Sequence, residues 1–128
     1  MRIERKELSS SAWPAEWQSQ EQLDLTDCTL RDVDASGVTL SVDVRDSSFA
    51  RVVFDGAIMN EWVEGGSTFT DCSFRNTTFH RGCFADARVS LYEGCTFAGC
   101  HFERTHFHPV LFRECVFESD TFERISSL

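Results

Sequence analysis

The stretch Ser67-Thr68-Phe69-Thr70-Asp71-Cys72-Ser73-Phe74-Arg75-Asn76-Thr77-Thr78-Phe79-His80-Arg81-Gly82-Cys83-Phe84 carries a phenylalanine at every fifth position from Phe69 to Phe84. Two residues before each ring stands a small residue: Ser67, Cys72, Thr77 and Gly82. The positions between are mostly polar. A helix repeats near 3.6 residues and a strand at 2, so neither explains a period of five. A chain that turns a corner every five residues does. The large residue and its small companion point inward, and the other three face water. Four such sides close one coil, and coils stack at the strand spacing of about 4.8 Å.

The pattern spreads both ways from this stretch. Upstream run Leu25, Leu30, Ala35 and Leu40, then Val44, Phe49, Phe54 and Met59. Downstream come Val89, then Tyr92, Phe97, Phe102, Phe107, Phe112, Phe117 and Phe122. About twenty repeats predict about five coils, a rod of roughly 25 Å. The frame slips between Leu40 and Val44 and between Val89 and Tyr92. Both slips read as corners tightened by deletion.

Three repeats display the motif most clearly: Cys72-Ser73-Phe74-Arg75-Asn76, Cys95-Thr96-Phe97-Ala98-Gly99 and Cys115-Val116-Phe117-Glu118-Ser119. They resemble the pentapeptide-repeat family, whose pattern is roughly A(D/N)Lxx, with Phe replacing Leu and Cys replacing Ala. Both replacements keep the interior apolar. The resemblance covers residues 23 to about 125. It implies an all-β, right-handed quadrilateral β-helix. Some relatives in that family are acidic rods that occupy the DNA groove of type II topoisomerases and confer quinolone resistance. The resemblance therefore supplies one functional alternative, a DNA mimic.

Residues 1–22 lie outside the repeat and read as an N-terminal capping segment, with 23–128 as the β-helix. Ser9-Ser10-Ser11-Ala12-Trp13-Pro14 suggests a helix start with a Ser cap and an early proline. Trp13 and Trp17, four apart, would either plug the end of the rod or anchor a partner. The last coil is expected to be frayed or covered by a second copy, so the chain is read as monomer or homodimer.

The chain carries 21 acidic and 12 basic residues, a net charge of −9. This disfavours direct binding to nucleic acid, whose phosphates call for a basic surface. No apolar run is long enough to span a membrane, and the basic N-terminus lacks the apolar stretch of a secretory signal. A reducing cytoplasmic setting follows as the expectation, with thiols rather than disulfides. Cys28, Cys72, Cys95, Cys100 and Cys115 occupy inward small positions, where cysteine acts as a compact hydrophobe. Cys83 falls on the surface as a candidate reactive thiol. His80, His101, His106 and His108 are expected to be solvated. With no CxxC pair and no third ligand in view, no metal or other cofactor is expected. The absence of GxSxG, HExxH and a phosphate-cradling loop argues against an enzyme.

Two features point to partner binding. In Asn60-Glu61-Trp62-Val63-Glu64-Gly65-Gly66, the frame would place Trp62 and Glu64 inside. A buried unpaired carboxylate costs several kcal/mol, so this repeat is expected to bulge outward and expose Trp62 as an aromatic anchor. Counting four repeats per coil also puts Asp24, Asp27, Asp43, Asp46, Glu64 and Asp86 on one side. Like charges one strand apart repel, and a basic protein partner would relieve them. Val53, Leu91 and Leu111 form a small apolar stripe suited to dimerisation. The expected function is a non-enzymatic acidic scaffold, neutralising a basic partner as an immunity or antidote protein does.

Overall fold

A computed structural model describes residues 1–18 and 21–127. The described residues form short parallel strands stacked on four sides of a tube, with one helix among them, Ala15–Gln18. The first side stacks Arg2–Glu4, Leu23–Thr26, the second halves of Thr39–Arg45 and Ile58–Gly65, then Cys83–Phe84, His106–Phe107 and Ser126–Ser127. The second side stacks Glu7–Ala12, Thr29–Asp34, Ser48–Ala50, Thr68–Thr70, Leu91–Glu93 and Leu111–Arg113. The third includes Ser73–Arg75, Thr96–Ala98 and Val116–Glu118, reached through single bridges at Val53. The fourth includes Thr78–His80, His101–Glu103 and Thr121–Glu123. The coils number about six. This is the four-sided β-helix that the five-residue period predicts.

Register explains why phenylalanine dominates. Phe74 pairs with Phe97 and Phe97 with Phe117, while Phe79 pairs with Phe102 and Phe102 with Phe122. Their rings stack nearly parallel at centroid distances of 4.7 to 4.9 Å. The spacing between strands is also about 4.7–4.9 Å, so the backbone sets the rings at an attractive stacking distance without adjustment.

The corners have their own rule. The residue two after the large inward one adopts left-handed φ: Asp27, Asp32, Asp46, Arg51, Asp71, Asn76, Arg81, Arg104, Glu114, Ser119 and Arg124, with Gly37, Gly56, Gly66, Gly94 and Gly99 in the same role. Each turns the chain from one side of the tube to the next, and Asp, Asn and Gly tolerate this conformation best. The frame slip at Leu40 has a simple form. Thr39–Arg45 and Ile58–Gly65 run straight through their corner, and Ile58–Gly65 carries one extra residue there, so the register shifts between Leu40 and Ser41.

Three expectations are corrected. First, the solenoid takes in residues 2–12, so the boundary at 22 does not separate cap from coils. Ser9, Ser10 and Ser11 lie in a strand paired with Thr29–Asp34 rather than at a helix start. Tertiary pairing displaces the Ser cap, and the expected short N-terminal helix begins instead directly after Pro14, at Ala15–Gln18. Trp13 and Trp17 then fold over the core, both buried, with Trp13 packed edge-on against Trp17 and Phe54. Second, the outward loop at 60–66 does not form. Trp62 and Glu64 are buried within a continuous strand. Trp62 packs among Phe54, Phe69, Phe74 and Phe79, so it is no exposed anchor. Third, the slip near Val89 is an insertion. Phe84 is followed on the next side by Tyr92, while Ala87, Arg88 and Val89 are exposed.

Candidate functional site

The insert that follows Phe84 is held by the carboxylate of Glu64. Burial alone would make this group costly, but the fold surrounds it with donors. The Ala85 N–H donates to its Oε1 at 2.8 Å, the Tyr92 hydroxyl donates to the same oxygen at 3.2 Å, and the Ser90 hydroxyl donates to Oε2. The Trp62 indole N–H donates in turn to the Tyr92 oxygen at 3.2 Å. Desolvation pushes the Glu64 pKa up to about 7, against the pull of these three bonds. Glu64 thus clamps both ends of the insert, Ala85 and Ser90, to the core. It is a structural group facing inward and does not belong to a partner-binding surface.

Outside, Arg45 performs a matching task. Its guanidinium donates to both Asp43 oxygens, at 2.6 and 3.3 Å, to the Asp86 carboxylate at 2.8 Å and to the Asp86 carbonyl at 2.9 Å. These bonds raise the Arg45 pKa, chiefly through Asp43, and hold the Asp86 carboxyl below its usual range. Gly65 makes this approach possible. A Cβ there would stand 2.1 Å from the Asp86 carbonyl oxygen and 3.0 Å from the Arg45 guanidinium. Gly65→Ala should therefore lift the insert from the tube and lower stability by about 1–3 kcal/mol, the usual cost of overpacking. Thermal unfolding followed by circular dichroism would check it, and an unchanged midpoint would refute the tight seating.

Four of the six acidic residues stand in two adjacent pairs on successive coils, and they are partly neutralised. Asp24 sits directly beside Asp43 in the strand register. Asp27 and Asp46 occupy the same corner in successive coils, where the Asp27 N–H donates to the Arg45 carbonyl and the Asp46 N–H to that of Gly65. Arg88, from the insert, pairs with Asp46. A shallow open groove of about 660 Å³ follows this corner, lined by Asp27, Asp46, Ser48, Thr68 and Arg88 among others. Asp86 joins the group through Arg45 rather than by stacking above it. Among the apolar residues, Leu91 pairs with Leu111 on the second side, but Val53 lies on the third side, so the three do not form one stripe. The insert accounts for this. Reading it as a deletion rotates the side assignments beyond it.

The thiols divide by depth. Cys28, Cys72, Cys95 and Cys100 are buried, and burial pushes Cys100 up to about 12. Cys83 is half-buried. Desolvation, then the charge of Asp86, pushes its thiol up to about 11, so little thiolate is present at neutral pH and the expected reactivity is not supported. On the fourth side His80 stands 3.6 Å from Glu103, and His101 lies near Glu103 and Glu123.

Sequence reasoning missed the Glu64 clamp and the first coil. For the coil a signal existed: Ile3, Leu8 and Trp13 already follow the five-residue spacing. For the clamp, only the pairing of Glu64 with the insert twenty residues later reveals the donors.

No family model and no curated protein sequence matches the chain. Solved structures do. A pentapeptide-repeat protein, Rfr23, from the cyanobacterium Cyanothece 51142 aligns over 97% of this chain and 86% of its own length, with TM-score 0.55 and 9% identity. QnrB1, a plasmid-mediated fluoroquinolone resistance protein, aligns over 98% of this chain and 74% of its own, with TM-score 0.37 and 10% identity. HetL, a pentapeptide-repeat protein involved in heterocyst differentiation regulation in the cyanobacterium Nostoc sp. strain PCC 7120, aligns over 94% of this chain and 86% of its own, with TM-score 0.27 and 8% identity. At such low identity, likeness speaks to fold alone, and the first alignment carries it. With the five-residue register and the four-sided stack, it gives this chain the β-solenoid fold of the pentapeptide-repeat proteins.

Proposed function

We propose that the chain is a non-enzymatic scaffold that binds a basic protein through the Asp24, Asp27, Asp43 and Asp46 surface. One observation carries the reading: two coils present these four carboxylates in register along one side and its corner. Arg45 and Arg88 offset Asp43 and Asp46 and tie them down, which leaves a pre-ordered acidic rim beside the groove. A fixed array of like charge steers a basic partner and loses little entropy on binding it. The rod's flat sides suit a protein surface better than a small substrate, which needs an enclosed site. Neutralisation of the partner in an antidote-like role, and a cytoplasmic location, belong to the same proposal. No helix of the described residues is long and apolar enough to cross a membrane.

The test uses an arginine- and lysine-rich peptide as probe, followed by capture from the native host. Binding should weaken as salt rises and be lost when all four aspartates become asparagine. Equal binding by the substituted protein would clear this surface of any role. The DNA-mimic alternative asks for an uninterrupted anionic surface, and here Arg45, Arg51 and Arg88 break it by pairing with neighbouring aspartates. Absence of inhibition in a gyrase supercoiling assay at large molar excess would reject it. Inhibition that the four asparagines abolish would favour it over the scaffold reading.

A further inference from the structure

Besides the straight corners after Leu40 and Met59, the corner rule breaks at one further place, in two successive coils. Position 86, two after Phe84, is not left-handed, and the turn is made instead by Ala85 and Ala87, both at positive φ. In the next coil the equivalent position is Pro109, whose ring fixes φ near −65° and forbids the left-handed turn. Alanine in that conformation is strained by about 1 kcal/mol or more, since it has neither glycine's freedom nor an asparagine-like side chain. At this irregular corner three side chains with metal-ligating atoms come together on the outer surface.

These are Cys83, Asp86 and His108. One ligand atom from each lies within 4.8 Å of the other two, and all three residues are half-buried. Each is held by a different element. Cys83 sits on the first side, in register with Val63 below and His106 above. Asp86 is oriented by Arg45, which engages its Oδ2 and its carbonyl. His108 is fixed through its backbone N–H, which donates to the Phe84 carbonyl at 3.0 Å. Glu64 anchors the insert between them from below.

We propose that Cys83, Asp86 and His108 form a binding site for a divalent transition-metal ion, with zinc as the best fit to its ligands. A thiolate, an imidazole and a carboxylate are the three ligand types zinc takes, at about 2.0–2.3 Å. At tetrahedral angles such ligands stand about 3.3–3.8 Å apart, so the three atoms, already within 4.8 Å of one another, need to close by at most roughly 1.5 Å. Magnesium and calcium favour all-oxygen shells and would reject the sulfur. Three protein ligands leave the fourth position open to water or to a donor from a partner. Arg45 serves as the orienting group behind Asp86, as ligating carboxylates commonly require. Metal binding would tie the insert to the neighbouring coil. The other histidine cluster, His101 with Glu103 and Glu123, has no sulfur and is the natural internal control.

Cobalt(II) is the probe, because a thiolate ligand gives it a near-ultraviolet charge-transfer band that oxygen and nitrogen ligands do not. The full chain, stripped with a chelator, should take up one cobalt ion with that band, and zinc should displace it. Zinc should also raise the unfolding midpoint, as a ligand that binds only the folded state must. Cys83→Ser should abolish the band, and His108→Ala should weaken binding at least tenfold and remove the thermal shift. His101→Ala and Cys115→Ser should leave both intact. Circular dichroism reports whether each variant folds, and His108, held through its backbone N–H and only half-buried, tests the site even if Cys83→Ser does not fold. No band in the parent protein, a band that survives Cys83→Ser, or binding lost with His101 instead would overturn the assignment.

Discussion

Replacing Glu64 by Gln should remove most of a decline in stability, on the order of 3 kcal/mol, that the parent protein shows as pH rises from about 4.5 to above 7. The folded pKa is raised from 4.5 to about 7, and each unit corresponds to about 1.4 kcal/mol. Below pH 4.5 both states are protonated and the full contribution is present. Between the two values the folded protein keeps a proton that the unfolded chain has released, so stability falls as pH rises. Above about 7 both are ionised and the loss is complete. Glutamine keeps an acceptor for the Ala85 N–H and the Tyr92 hydroxyl, and its amide can donate to Ser90. Urea unfolding at a series of pH values, parent against Glu64→Gln, isolates the effect from carboxylates such as Asp86, whose lowered pKa acts at lower pH with the opposite sign. Parallel curves for the two proteins would show that the buried carboxylate is not the source. Glu64→Ala should be worse at every pH, by roughly 3–5 kcal/mol, because it strands three buried donors and leaves a void.

Phe74→Ala should cost about 3–5 kcal/mol, whereas Phe122→Ala should cost about 1 kcal/mol or less. Phe74 is fully buried and stacks between Phe54 and Phe97, at 5.1 and 4.7 Å. It also meets Trp62 edge-on. Removing it opens a hole that coils on both sides cannot close, since their backbones are fixed by the strand ladder. Phe122 has the same sequence setting but is 50% exposed in the last ring of its stack. Chemical denaturation of both variants would decide the matter, and equal losses would contradict the idea that stacked neighbours on both sides, rather than residue type, set the value of each ring.

The architecture was legible because a five-residue period has few physical solutions. Phe69, Phe74, Phe79 and Phe84 alone define a side length, and their small companions define the inward face. The side chains of interest were harder to place, for two reasons. Tyr92 stands eight positions after Phe84, a spacing that fits a shortened pair of repeats as well as one lengthened repeat. Only strand pairing distinguishes them, and the choice decides whether Val89 is core and whether Val53 shares a side with Leu91. Glu64 failed for a different reason. Its burial is unfavourable alone, so an outward loop was the reasonable expectation. The compensating donors at Ala85, Ser90 and Tyr92 come from the next coil, and no local pattern announces them. Where Asp24 and Asp43 were concerned, the count of four repeats per coil sufficed, because no insertion intervenes between them.

The hydrogen bonds joining successive coils run along the rod, since the strand pairs of the described residues are all parallel and, apart from the one shift beside Leu40, in register. A pull applied between the two ends would load these bonds one side at a time, like a zip, instead of shearing many at once. The protein should then yield at low force, in steps of about one coil each, and rewind coil upon coil when released. Across its width, by contrast, the covalent backbone itself resists deformation, so such a rod is compliant in tension and stiff in cross-section.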